Sequence, residues 1–211
     1  MDTNDLTALM NDRSLAYRFL ARAYRTAPDL AFIEALRQGG ADERPADDPL
    51  EAFFNELAVA SAEQIRIDVA ADYNRLFLGM GPHPIAPYES VFSSAEGLLM
   101  QEARDEVVAV YRSEGFAVED AFNLPEDHLS LELEFMALMA ERTALSLEAE
   151  SPDEAERCLS VQRAFLEDHL GCWVPAFCDA VSEQARTTFF RGLARMTNEQ
   201  VEADRTLIAS L

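Results

Sequence analysis

The residues of this 211-residue chain best suited to bind a metal or act as nucleophiles are three histidines, His83, His128 and His169, and three cysteines, Cys158, Cys172 and Cys178. Structural zinc sites close with cysteine pairs two to four residues apart, and no such pair is present, so the thiols read as small core residues. A carboxylate-bridged di-iron bundle needs a glutamate and a histidine at i and i+3. The positions three before the histidines are Met80, Pro125 and Leu166. His128 and Glu132 stand one turn apart, a spacing that serves a helix-surface hydrogen bond far more often than a metal pair. Gly79 and Gly81 lack the third glycine and the preceding strand of a dinucleotide fingerprint, and no strand-turn-helix elbow presents a nucleophile. These tests point away from an enzyme and towards a binding protein, with no metal expected.

Charge narrows the partners. There are 17 basic residues against 39 acidic ones, a formal net charge of −22, and every basic residue is arginine. Without lysine there is no phosphate-loop lysine, no Schiff base and no kinase-type strand lysine. The mean field repels polyanions, so nucleic acid is not an expected partner. An acidic surface suits cationic partners and also simply keeps a protein in solution.

The start Met1-Asp2-Thr3-Asn4-Asp5 is acidic and has no apolar block of the secretory kind. No run of about 18 apolar residues occurs to span a bilayer. Three irregularly spaced cysteines make no disulfide framework, so the expected location is the reducing cytoplasm, with no membrane insertion.

The elements that must position any site are helical. Asp48-Pro49-Leu50-Glu51, Ser61-Ala62-Glu63-Gln64, Ser93-Ser94-Ala95-Glu96, Ser151-Pro152-Asp153-Glu154 and Thr197-Asn198-Glu199-Gln200 have the composition of helix starts. Apolar residues recur at three and four, as in Leu6, Leu9, Met10, Ala16, Phe19, Leu20 and Ala23. The pattern predicts an all-α protein with helices near 4–26, 28–38, 49–59, 62–78, 94–114, 125–148, 152–169, 173–190 and 198–209. A proline-rich connection, Gly79 to Val91, follows an extended path. A second connection, 113–125, has the character of a hinge. It divides one domain, 1–211, into an N-terminal part of about 1–112 and a C-terminal part of about 126–211, and it permits a monomer or a domain-swapped homodimer.

Tyr73, Leu76 and Phe77 share one face at the end of a predicted helix, with Pro87, Tyr88 and Glu89 following in the stiff connection. That arrangement fits a peptide groove, and the same aromatic stripe at helical spacing also fits a buried core. Glu126, Asp127 and His128 open the segment after the hinge, where acids are expected in any first turn. Asp127 is expected to be accessible.

Three stretches carry a family resemblance: Tyr73-Asn74-Arg75-Leu76-Phe77-Leu78-Gly79, then Pro84-Ile85-Ala86-Pro87-Tyr88-Glu89-Ser90-Val91-Phe92, then Glu126-Asp127-His128-Leu129-Ser130-Leu131-Glu132-Leu133-Glu134-Phe135-Met136. In this order they resemble the cytoplasmic redox-enzyme maturation chaperones of the TorD/DmsD type, which are related to the NarJ type. The resemblance implies a helical bundle-like domain of about nine or more helices. It also implies a chaperone without chemistry of its own, which binds the N-terminal twin-arginine signal peptide and the body of a molybdopterin (molybdenum or tungsten) oxidoreductase and proofreads it before export. The alternatives are a NarJ-like chaperone for a non-exported client and, from another class, a small nucleotide-hydrolysing or metal-dependent helical enzyme.

Carried over by position, the peptide-binding residues implied are Tyr73, Leu76, Phe77, Pro87, Tyr88, Glu89, Asp127 and His128. Asp127 and Glu89 would meet the paired guanidiniums, and Leu76, Phe77 and Tyr88 the apolar stretch. His128 would either orient Asp127 or donate to the peptide backbone. The family often has tryptophan where this chain has Tyr73 and Tyr88. Some members bind guanine nucleotides weakly, but this chain has neither the lysine nor the glycine-rich loop for it, so no cofactor is expected.

Overall fold

The computed structural model describes residues 2–39, 48–118 and 124–211. Among them are ten α-helices and one π-helical turn: α1 Thr3–Arg25, α2 Leu30–Gly39, α3 Pro49–Val59, α4 Ala62–Phe77, α5 Glu89–Ser93, α6 Glu102–Ser113, α7 Leu129–Glu148, α8 Pro152–Phe165, the π turn Leu166–Leu170, α9 Gly171–Gln184 and α10 Thr188–Ala209. The all-α class agrees with the apolar periodicity. The β pairing among the described residues is a single antiparallel bridge, Tyr88 with His128.

Local chemistry explains where several helices start. Asp48 accepts from the Leu50 amide at 2.8 Å, with Pro49 in the first turn, and Ser61 accepts from the Gln64 amide at 3.1 Å. Each cap satisfies an amide that the helix itself cannot.

Two expected helix starts are corrected, and a third stands without its expected side-chain cap. Ser93 and Ser94 end α5 instead of opening a helix at 94, because Gly97 (φ 62°) and Met100 (φ 59°) adopt left-handed backbone that a helix cannot carry, and α6 begins only at Glu102. Ser151 precedes α8 but makes no side-chain cap. Thr197 lies inside α10, where its hydroxyl donates back to the Leu193 carbonyl at 2.7 Å, so the expected break near 190–198 is absent. The break falls at 185–187 instead. There Asp72 of α4 accepts from the Arg186 amide, the Thr187 amide and the Thr187 hydroxyl at 2.8–2.9 Å.

The described chain divides into two compact units, one of residues 1–24, 87–174 and 200–211 and a second of 25–86 and 175–199. The hinge expected at 113–125 therefore lies inside the first unit, and its residues 119–123 are outside the described ones. In the first unit α7 buries Leu129, Ser130, Leu131, Glu132 and Leu133 in succession, which only a helix packed on all sides does. Phe135 of α7 meets Phe165 of α8 (ring centroids 4.7 Å apart) and Tyr111 of α6 (4.9 Å). Arg13 of α1 is buried and donates to Asp204 of α10 at 2.7 Å and to Gln162 of α8 at 2.7 Å, and the Tyr17 hydroxyl donates to the same Asp204 oxygen at 2.6 Å.

The second unit has an aromatic core. Phe189 packs on Phe53 at 5.1 Å and on Phe190 at 5.0 Å. Gly192 lets α10 approach α3 so closely that a Cβ there would clash with the Leu50 side chain.

Candidate functional site

The proline-rich connection ends by pairing edge to edge with the residues before α7. The Glu89 amide donates to the Asp127 carbonyl at 3.0 Å and the Leu129 amide to the Pro87 carbonyl at 2.9 Å, so Tyr88 and His128 face each other, with ring centroids 4.9 Å apart. This pairing gathers five of the eight expected residues, Pro87, Tyr88, Glu89, Asp127 and His128. His128 is the N-cap of α7: its Nδ1 accepts from the Ser130 amide at 3.1 Å.

Asp127 corrects an expectation. It is fully buried, not accessible, and its Oδ2 accepts from the Ser90 amide at 2.9 Å and from the Ser90 hydroxyl. The edge pairing carries its side chain over the first turn of α5, where the orphan amide of Ser90 takes it up. The remaining three residues belong to the second unit. Tyr73 and Leu76 are buried in its core, and Phe77 is half-buried, stacked on Phe177 at 6.1 Å and edge-on to Phe190 at 5.6 Å.

Beneath the pairing lies a set of titratable groups that spacing did not reveal. Both Glu89 carboxylate oxygens lie 3.0–3.2 Å from His169 Nδ1. Glu132, buried in α7, accepts from Trp173 Nε1 at 3.1 Å. Burial and the neighbouring Glu89 charge push the Glu132 carboxyl well above the usual carboxylate range, and a hydrogen bond between the two acids acts in the same direction. The shift favours the protonated form of Glu132. Burial, followed by the charges of Glu132, Glu89 and Asp127, raises the Tyr111 phenol, and burial and Asp127 raise that of Tyr88. His128 and Glu132, expected to pair on a helix surface, are both buried; the His128 ring accepts from the Ser130 amide and the Glu132 carboxyl from Trp173. Of the thiols, Cys158 and Cys178 are buried as expected, whereas Cys172 is exposed.

The π turn sets His169. The Gly171 amide bonds back to the Leu166 carbonyl, five residues away, and a Cβ at Gly171 would lie 2.6 Å from that oxygen. Only glycine allows this close approach. The widened turn precedes Pro175, which has no amide to give to helix α9.

Glu89 also reaches a cleft of about 630 Å³ between α5, α6 and the π turn. Five acids line it, Glu89, Glu96, Glu102, Glu106 and Asp168, and among the described residues no arginine does. Glu96, Glu102, Glu106 and Asp168 are exposed and were not singled out from sequence. Their one legible signal is the like-charged pair Glu102 and Glu106 at i and i+4, which a helix tolerates at a small cost. Such a cleft can take cationic groups in forked, charge-assisted hydrogen bonds.

No helix among the described residues is long and apolar enough to cross a membrane. Residues 43–179 match the family model of the nitrate reductase delta subunit. The chain is 32% identical to the chaperone protein TorD of Photobacterium profundum, over 67% of this chain and 64% of that one, so the match leaves about a third of that relative uncovered. It is 28% identical to TorD of Vibrio vulnificus strain YJ016 over 82% and 78% of the two chains, and 25% identical to TorD of Aliivibrio fischeri over 98% and 99%. A solved structure of a redox enzyme maturation protein from Archaeoglobus fulgidus aligns over 93% of both chains with a TM-score of 0.49 and 21% identity. The curated relatives are named chaperones, and this chain belongs to the nitrate reductase delta subunit family.

Proposed function

We propose that this chain binds the N-terminal twin-arginine signal peptide of a molybdopterin oxidoreductase in the cytoplasm, holding it until the cofactor is inserted and export begins. The observation that carries the reading is the cleft lined by five carboxylates, flanked by exposed apolar residues. Two adjacent guanidiniums need several oxygen acceptors at close range, and a cleft without competing arginines leaves those acceptors available. The net charge of −22 steers such a peptide towards the protein from a distance. Of the eight residues carried over as peptide-binding, Glu89 lines the cleft. Asp127 and His128 act from beneath it by fixing the starts of α5 and α7. Within the second unit, half-buried Phe77 offers an apolar surface of its own, with Tyr73 and Leu76 supporting it from that unit's core.

The test is titration with two synthetic peptides, one carrying paired arginines before an apolar run and one with both arginines changed to glutamine. Ordering a flexible peptide offsets much of its contact energy, so a Kd of about micromolar order is expected for the first and at least about tenfold weaker binding for the second. Equal affinities would sink the reading. The family's description as a nitrate reductase subunit favours a second reading, a chaperone for a client that is not exported. Capture of the co-purifying oxidoreductase separates the two: a client N-terminus without paired arginines selects the second.

A further inference from the structure

Leu98, Leu99 and Met100 are large apolar residues exposed by 55%, 45% and 60%, and they follow one another in the short segment between α5 and α6. The segment is held in place. The Leu98 amide donates to Ser94 Oγ at 3.1 Å, the Gln101 amide to Ser90 Oγ at 3.3 Å, and the Gln101 side chain to the Leu99 carbonyl at 2.9 Å. Gly97 and Met100 adopt left-handed backbone at φ 62° and 59°, a conformation unfavourable for a methionine. A contiguous exposed apolar patch on a segment fixed in this way marks an interaction surface.

The surrounding residues select the occupant. Ser94 to Glu96, one residue before the triplet, and Gln101 to Ala103, immediately after it, line the acidic cleft, so the triplet sits at its rim. A ligand that fits both parts has cations for the cleft and, directly adjoining them, an apolar segment for the rim. An extended chain advances only about 3.3 Å per residue, so a few residues carry it from one part to the other. We infer that Leu98, Leu99 and Met100 seat the apolar run that follows the paired arginines of the client peptide, which rests on the peptide-binding reading above. The same geometry makes Asp127 a positioning residue: its carboxylate holds Ser90, and Ser90 Oγ in turn receives the Gln101 amide that closes the rim.

The experiment is a double-mutant cycle on the full chain. L98S/L99S/M100S and the unaltered protein are each titrated with the paired-arginine peptide and with a version whose apolar run is replaced by serines. The expected result is a loss of about tenfold in affinity for the apolar peptide, since burying even part of three large side chains exceeds one tenfold step. Affinity for the serine version stays unchanged. Equal losses for both peptides, or no loss for either, overturn the inference, as does an absence of binding to the unaltered protein. If the triple variant loses its helical signal, L98S/L99S, which keeps Met100, is used with the same criteria. Failure of the peptide-binding reading registers separately, as equal binding of the arginine and glutamine peptides to the unaltered protein.

Discussion

Glu89 in the first turn of α5 and His169 in the π turn, 80 residues apart in the chain, are joined by His169 Nδ1 at 3.0 and 3.2 Å from the two carboxylate oxygens. The contact fixes the wall of the acidic cleft to the centre of the first unit, because Glu89 also meets Glu132, which is bonded to Trp173. Two buried acids, a histidine and an indole are thereby gathered around the π turn.

The pH dependence has a definite sign. The Glu132 pKa is raised in the folded chain, so on raising pH the unfolded state loses its proton first and folding stability falls between the unfolded and the folded pKa. The fall amounts to roughly 1.4 kcal/mol for each unit separating the two. Glu132→Gln, which keeps a donor to Glu89 and an acceptor for Trp173, should remove this fall and be more stable than the unaltered chain at neutral and alkaline pH. Urea midpoints across the pH range read both; an unchanged profile in the variant sinks the assignment.

Gly171→Ala places a Cβ 2.6 Å from the Leu166 carbonyl oxygen. Overpacking of this kind costs about 1–3 kcal/mol. Trp173 is the sole tryptophan of the chain and lies two residues on, so its emission should shift as its bond to Glu132 is disturbed. A variant with unaltered emission and unaltered stability would show that the π turn yields freely.

Asp127→Ala should destabilise the chain by about 1–2 kcal/mol, the range for a lost helix cap, because the side chain is buried on Ser90. Affinity for the client peptide should fall as well, through the rim. A variant of full stability whose peptide affinity alone is lost would show that Asp127 touches the ligand directly.

Arg13 and Asp204 form a buried pair at 2.7 Å. Removing one partner leaves an uncompensated charge, so Asp204→Ala should cost about 3–5 kcal/mol in denaturant unfolding. A loss below about 1 kcal/mol would mean that water reaches Arg13 in the variant.

Alkylation of the native chain should modify Cys172 and spare Cys158 and Cys178, giving one adduct by mass, and three after denaturation. Burial pushes the Cys178 thiol up to about 12 and also raises that of Cys172, so the native reaction should be slow at neutral pH and accelerate in alkali. Adducts on Cys178 in the native chain would contradict its place in the second unit's core.

The all-α class, the caps at Asp48 and Ser61 and the ordered family motif were legible in the sequence, because helical periodicity and capping are local: the residues that decide them lie within a turn of one another. The cap-like stretches at Ser94 and Thr197 misled for a complementary reason. The same short polar residues end helices or bond back inside them, and left-handed turns at Gly97 and Met100 or a distant acceptor such as Asp72 settle which. Of the site, sequence reached Glu89, Tyr88, Asp127 and His128 through the motif. It did not reach the burial of Asp127, the pairing of Glu89 with His169 across 80 residues, the raised Glu132 carboxyl, or the gathering of Glu96, Glu102, Glu106 and Asp168 around one cleft. Those depend on which elements meet in space. Desolvation and charge proximity are properties of that meeting and not of chain spacing, so only the tertiary structure decided them.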